Sequence, residues 1–166
     1  TEAAVLSTGV IGVPLPMDRI LNGVDGCVNA LSPAGNLDAA QAIMTTDTVA
    51  KEMAIEIPLS TGPIRLGAMA KGSGMIAPNM ATMICVVTSD ACIEAIPLRD
   101  ALREAVAASF NCICVDNDMS TSDAVICLAN GQSGCPALLP GTPDYTAFAS
   151  ALKELCQELA KDLVRD

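Results

Sequence analysis

From Lys71 to Met83 the chain reads Lys-Gly-Ser-Gly-Met-Ile-Ala-Pro-Asn-Met-Ala-Thr-Met, and it continues as the apolar run Met83-Ile84-Cys85-Val86-Val87. Gly72 and Gly74 mark a tight turn and Pro78 breaks any regular element. A short apolar run bounded by such signals reads as a buried strand, here Met83 to Thr88. Thr82 then stands at the mouth of that strand, at the end of a shaped loop. A hydroxyl in that position is open to chemistry while the sheet behind it anchors its backbone.

The segments on either side supply the partners such a strand needs. Ala3 to Ser7 reads as a short buried strand. Thr8-Gly9-Val10-Ile11-Gly12, with Pro14 and Pro16 beyond, is a shaped loop. Its backbone N–H groups are placed to face an anion or a developing oxyanion, or it is an ordinary strand-to-helix turn. Pro16 suits the first position of a helix carrying Met17, Ile20, Leu21 and Val24 on one face, with Val28 and Leu31 extending it. A second helix runs from Asn36 to about Ile43. Thr45-Thr46-Asp47-Thr48 puts three hydroxyls and a carboxylate together, either as a polar pocket wall or as a helix end and turn. Val49 to Pro58 alternates as a strand, Gly62-Pro63 turns, and Ile64, Leu66 and Ala68 mark the return strand that delivers Lys71. Lys71 lies eleven positions before Thr82. It either folds back toward that hydroxyl or is a solvated loop lysine. Because it precedes the glycines, Ala-Lys-Gly-Ser-Gly is not a phosphate-binding P-loop.

Beyond the central strand, Pro97 opens a helix with Leu98, Leu102, Val106 and Phe110 on one face. Asn111 to Asp116 reads as a buried strand. Ser120 with Asp123 has the spacing of a capping box, which predicts a helix through Ala129 that stops at Asn130-Gly131. Ser133 to Pro143 is a connecting loop. The final helix has the clearest signal, with Tyr145, Phe148, Leu152, Leu155, Leu159 and Leu163 recurring at spacings of three and four.

Composition narrows the functional classes. A chain of 166 residues fits a single domain and is long enough for a full core. That core must be aliphatic, because aromatic residues are only 2%. Charged residues are 17%, below the usual quarter, which predicts surface that another chain or segment covers. The net charge of −10 and the lack of a basic stripe exclude nucleic-acid binding. No apolar run reaches the ~18 residues of a membrane span. No secretory leader opens the chain, and a start without Met fits a fragment or a processed product. The eight cysteines include no Cys-x-x-Cys pair, and Cys85, Cys112, Cys114 and Cys127 sit in apolar runs. They read as reduced, mostly buried thiols.

There is no histidine. Every His-based triad and most zinc sites are thereby excluded, and acid–base chemistry must come from an amine, Lys, a carboxylate or water. Thr82 is the candidate nucleophile. A cut between Ala81 and Thr82 would free an α-amine to serve as its base, the N-terminal threonine variant of nucleophile activation.

Taken together, Ser7-Thr8-Gly9-Val10-Ile11-Gly12, Ala42-Ile43-Met44-Thr45-Thr46-Asp47-Thr48, Gly67 through Met83, Ser109-Phe110-Asn111 and Val115-Asp116 resemble the ornithine acetyltransferase family, also called bifunctional glutamate N-acetyltransferase. Members of that family are longer on both sides, so the chain resembles their central portion. The resemblance implies a layered αββα-like fold of the self-processing N-terminal-nucleophile type, within the mixed α/β class. It implies self-cleavage between Ala81 and Thr82, with residues 1–81 ending an α chain, residues 82–166 beginning a β chain, and the two assembling as a hetero-oligomer. Thr82 would carry acetyl from N-acetylornithine to glutamate. Thr8 and Gly9 would form the oxyanion hole, and Lys71 and Thr45 would contact substrate, with Thr46 a near neighbour. No metal or cofactor is expected, and acetyl-CoA is a possible second acetyl donor. The cytoplasm or an organelle matrix is the expected location. Where the family usually has Gly-Asp-Thr-Ser-Thr-Asn-Asp, this chain has Asn117, Met119 and Ser122 at three places. A related self-processing aminopeptidase or amidase, or an incomplete fragment with only a packing role, are the other readings.

Overall fold

The computed structural model describes residues 4–77 and 83–166. Its centre is a four-stranded sheet in the order β1 (Lys51–Leu59), β2 (Gly62–Lys71), β3 (Ile84–Ser89) and β4 (Ala124–Ala129). β1 and β2 form a hairpin in register from Lys51 opposite Ala70 to Leu59 opposite Gly62. Gly62 closes the two-residue turn at φ +131°, a conformation that side chains rarely adopt. β3 runs antiparallel to β2, whereas β4 runs parallel to β3. A parallel pair needs a long crossover, and helix α3 (Ala95–Ala107) lies within it.

Strand alternation sorts side chains to two faces. Met53, Ile55, Ile57, Ile64, Leu66, Ala70, Cys85 and Val87 point toward a helical layer made by α3 and α4 (Pro143–Arg165). α4 starts with Pro143 after the N-cap Thr142, whose Oγ1 accepts the Tyr145 N–H at 3.3 Å. Phe148, Leu152, Leu155, Leu159 and Leu163 are all buried along one stripe against the sheet and α3. At about 1.5–3 kcal/mol for each large side chain removed from water, this stripe is a main source of stability. Lys51 is buried on the same face. Its ammonium meets Asp47 at 2.9 Å and also Asp166 at the far end of α4, which ties β1 to the helix terminus.

The mixed α/β class expected from the sequence is the class observed. The described residues contain one sheet with α3 and α4 packed on one face. The opposite face, bearing Glu52, Ala54, Gly67, Met69, Val86 and Thr88, lines a hollow of about 320 Å³ with Asn36 from helix α2 (Asn36–Ala42) at its rim. Helix α1 (Met17–Asn29) follows Pro16, which stands just outside the helix instead of at its first position. None of its residues is buried, and its apolar stripe of Met17, Ile20, Leu21, Val24 and Val28 faces outward.

Further expectations are corrected. Of the expected strand Ala3 to Ser7, Ala3 lies outside the described residues, and residues 4–7 form no strand, with Val5 85% exposed. Asn111 to Asp116 is not a buried strand. A 3₁₀ turn at Phe110–Cys112 leads into irregular chain whose Cys112 and Cys114 are exposed. It is tied to the glycine loop, where the N–H groups of Val115 and Asp116 both donate to the Ile76 carbonyl. The expected helix ending at Ala129 is instead β4, six apolar residues drawn into parallel pairing with β3. All eight cysteines are free thiols. Cys85, Cys135 and Cys156 are buried, but Cys27, Cys112 and Cys114 are exposed, so mostly buried thiols is too broad a statement.

Candidate active site

Lys71 is the last residue of β2, opposite Ile84. It shares the parity of Gly67 and Met69 and so lies on the face away from α3 and α4. Despite its charge it is only 2% exposed, because the Thr45–Asp47 segment and the chain after β2 fold over it. Its ammonium donates to Thr45 Oγ1 at 2.7 Å. The solvated-loop reading of Lys71 is therefore set aside.

Asp47 organises this covering. Its Oδ2 accepts the Thr45 N–H at 3.1 Å, a local bond of the kind Asp makes in turns. Its Oδ1 accepts the Gly72 N–H at 2.6 Å and the Lys51 ammonium at 2.9 Å. Burial works against charge on this carboxyl. The Gly72 N–H, Lys51 and the Thr45 N–H together outweigh it and hold Asp47 below the usual carboxylate range.

The glycine loop is held at its other end by Asp116, whose two oxygens accept the N–H groups of Met75 at 2.6 Å and Ile76 at 2.8 Å. The Met75 bond leads the causes that lower its pKa. Met75 sits at φ +57°, a left-handed conformation that this anchoring stabilises. Thr46 and Ser73 join through their hydroxyls at 2.9 Å, a second tie between the threonine segment and the loop.

Beside these contacts lies an open cavity of about 690 Å³ lined by Thr8, Gly9, Val10, Ile11, Thr45, Thr46, Lys71, Gly74 and Met75. Four residues singled out from the sequence, Thr8, Gly9, Thr45 and Lys71, thus line one cavity although they come from three separate segments. Lys71 offers it a cation, Thr45 and Thr8 offer hydroxyls, and Val10 and Ile11 offer an apolar wall. This arrangement suits a small molecule with an anionic head and an aliphatic or acyl portion. Ala81 and Thr82, the expected cleavage pair and nucleophile, lie outside the described residues.

The described chain resumes at Met83, whose N–H donates to Asp123 Oδ1 at 2.8 Å. Asp123 Oδ2 is buried and has no partner among the described residues. Burial pushes this carboxyl up to about 6, against the opposing pull of the Met83 N–H and the charge of Lys71. The sequence pattern suggested that Asp123 caps a helix, whereas it anchors the start of β3. Asp47 and Asp116 were read from the sequence as parts of a polar segment, an expected strand and the family motifs, with no role of their own. The bonds by which they hold the glycine loop, to Gly72, Met75 and Ile76, span 25 to 41 positions, so no local pattern could show them.

Comparison with known proteins supplies the family. The profile described as "ArgJ family" matches residues 1–166. The arginine biosynthesis bifunctional protein ArgJ of Symbiobacterium thermophilum is 56% identical over 162 residues, which is 98% of this chain and 40% of that protein. The protein of the same name from Bacillus subtilis is 46% identical over 163 residues, again 98% of this chain and 40% of its own length. The crystal structure of the ArgJ protein of Bacillus halodurans is 40% identical, with a TM-score of 0.46 over 48% of this chain and 37% of that one. The chain therefore spans about two fifths of the length of the curated relatives it matches. With its profile matched from the first residue to the last, the chain belongs to the ArgJ family.

Proposed function

We propose that this chain provides the acyl-transfer centre of an enzyme that moves acetyl from N-acetylornithine to glutamate in arginine biosynthesis. The observation that carries the reading is the convergence of Thr8, Gly9, Thr45 and Lys71 on one cavity, beside Gly74 and Met75. The names of the relatives, arginine biosynthesis bifunctional proteins, support the pathway.

In this reading Thr82 Oγ first attacks the Ala81 carbonyl carbon, and the acyl group moves from nitrogen to oxygen. Water then cleaves the ester, leaving a carboxylate on Ala81 and a free α-amine on Thr82. That amine, with an unperturbed pKa of about 7.7–8.0, accepts the proton of its own hydroxyl in the next step. The hydroxyl attacks the acetyl carbonyl of N-acetylornithine, the amide C–N bond breaks, and ornithine leaves with the proton. The amine of glutamate attacks the acetyl-threonine ester, and N-acetylglutamate departs as the threonine hydroxyl regains its proton. Thr8 and Gly9 donate hydrogen bonds to the oxyanion at each tetrahedral stage. A lost oxyanion donor typically costs about 10²–10³ in rate. Lys71 and Thr45 hold the substrate carboxylate, and the Lys71–Thr45 hydrogen bond fixes the ammonium for that task.

Residues 1–81 would close an α chain and residues 82–166 would open a β chain, the two remaining associated with the other segments of the same protein. No cofactor or metal takes part in this cycle, and acetyl-CoA is a second donor to assay. Among the described residues no helix is long and apolar enough to cross a membrane. One relative carries the word mitochondrial in its name and others are bacterial. A bacterial cytoplasm or an organelle matrix accordingly fits.

The complete polypeptide containing this chain tests the reading. Its mass spectrum should show two pieces, one beginning at Thr82, and Thr82→Ala should stay whole. Ornithine should appear from N-acetylornithine only when glutamate is present. Release without glutamate would mark a hydrolase, and an uncleaved, inactive wild type would end the proposal.

A further inference from the structure

We infer that Asp47 is a positioning residue, which sets the Thr45 hydroxyl and the Lys71 ammonium as one substrate-binding unit. The inference rests on the acetyl-transfer reading above and adds to it a residue that touches no substrate. Asp47 does not line the cavity. It lies behind the wall, with its side chain fully enclosed. From there each oxygen holds a different piece of the site. Oδ2 takes the Thr45 N–H and so fixes the backbone that carries the Thr45 hydroxyl. Oδ1 takes the N–H of Gly72, the residue directly after Lys71, and so fixes the end of β2 where the lysine leaves the sheet.

The geometry separates this role from simple charge pairing. Lys51 neutralises the buried carboxylate, but it meets Oδ1 from the helix-facing side of β1 and contributes nothing to the cavity lining. Its second partner is Asp166, at the opposite end of the chain. Charge balance therefore needs only a carboxylate near Lys51. The two N–H bonds need that carboxylate at one position, bridging segments 25 residues apart. The short, charge-assisted bond to Gly72 is of the stronger class. A side chain that held the charge and lost the position would leave the fold standing and the Thr45–Lys71 pair loose.

The experiment is a double-mutant cycle in the complete polypeptide, with initial rates for N-acetylornithine and glutamate. Asp47→Asn keeps an oxygen for Gly72 and Lys51 but presents an amide donor to the Thr45 N–H. Its KM for N-acetylornithine should rise about tenfold with kcat within about threefold, the scale of one lost hydrogen bond to a charged group. Thr45→Val should raise KM by a similar factor. Because Asp47 acts through Thr45, the double variant should be no worse than either single one. Asp47→Glu covers the case in which the Asn variant does not fold. It keeps the negative charge beside Lys51 and displaces the oxygens, and it should show the same rise in KM. A general structural role instead predicts multiplied effects, or a fall in kcat matching the loss of folded protein, with KM unchanged. Either result overturns the inference. An unmodified protein that transfers no acetyl group at all overturns the acetyl-transfer reading, and this inference with it.

Discussion

The Lys71 ammonium donates to Thr45 Oγ1 at 2.7 Å across 26 positions of sequence. Lys71 is 2% exposed as a residue, yet it lines a cavity of about 690 Å³. A charge held this way is set for a ligand. Burying an ammonium costs several kcal/mol unless it is matched by partners, and among the described residues its matches are the neutral Thr45 hydroxyl and the charge of the Asp123 carboxyl. In the proposed reading, the carboxylate of the substrate supplies the remainder.

Lys71→Met follows from this. The replacement keeps most of the length and removes the charge. The KM for N-acetylornithine should rise by at least about tenfold, the equivalent of about 1.4 kcal/mol. Lys71→Arg should not restore it, since a planar guanidinium fits neither the enclosed space nor the single bond to Thr45. Steady-state kinetics of the three proteins checks both claims, and an Arg variant with unimpaired KM would show that charge alone is needed.

The fold was legible where periodicity and length agreed. The α4 stripe from Phe148 to Leu163 predicted both the helix and its buried face. The β1–β2 hairpin was readable from alternation, and β2 runs on through Met69 and Ala70 to Lys71. β4 was misread because Ala-Val-Ile-Cys-Leu-Ala is a continuous apolar run, which periodicity cannot assign. The Ser120/Asp123 spacing then favoured a helix. Cys112-Ile113-Cys114-Val115 alternates like a strand, but it is irregular chain that pairs with no strand among the described residues. In the site, Thr8, Gly9, Thr45 and Lys71 were named from the family resemblance. The pairing of Thr45 with Lys71 depends on strand register and on the Asp47–Gly72 bond, which spans 25 positions and leaves no local pattern.

The core stripe gives a stability prediction. Leu155 is 1% exposed and packs among α3, α4 and the sheet. Leu155→Ala should lower the free energy of unfolding by about 2–5 kcal/mol, the range for buried Leu truncation. Val164, on the same helix but 48% exposed, should tolerate Ala with a change within about 0.5 kcal/mol. Urea denaturation of the two variants distinguishes the faces of α4. Equal losses would mean that Val164 is covered in the complete protein.

Thiol labelling follows the same burial. Cys85, Cys127 and Cys156 stand close enough to influence one another, and burial is the leading cause that raises all three thiols, Cys156 to about 12 and Cys127 to about 11. Thiolate is the reactive form, so at neutral pH these residues should resist a maleimide. Cys27, Cys112 and Cys114 are exposed and are the expected positions of labelling. Peptide mass mapping of the native protein checks this, and early modification of Cys85 or Cys156 would contradict the packing of α4 on β3.

Asp123 should leave a signature in the pH dependence of stability. Its folded carboxyl is raised to about 6, chiefly by burial, against an unfolded value near about 3.9. Between those values the folded chain keeps a proton that the unfolded chain has lost. The resulting stabilisation is complete below about pH 4 and is lost as pH rises through about 6. Asp166 acts in the opposite direction. The Lys51 ammonium, ahead of the Thr48 hydroxyl and N–H, holds it down to about 2, and Asp47 is also lowered. Their contribution is present above about pH 4 and disappears as pH falls below it. The two effects occupy different windows, so Asn at position 123 isolates the first. Relative to wild type, Asp123→Asn should gain stability steadily from about pH 4 to about pH 7 and hold that gain at higher pH. Unfolding curves of both proteins across that range provide the measurement. A difference that does not change with pH would mean that the Asp123 carboxyl ionises as it does in water, with its second oxygen reached by solvent or by a donor.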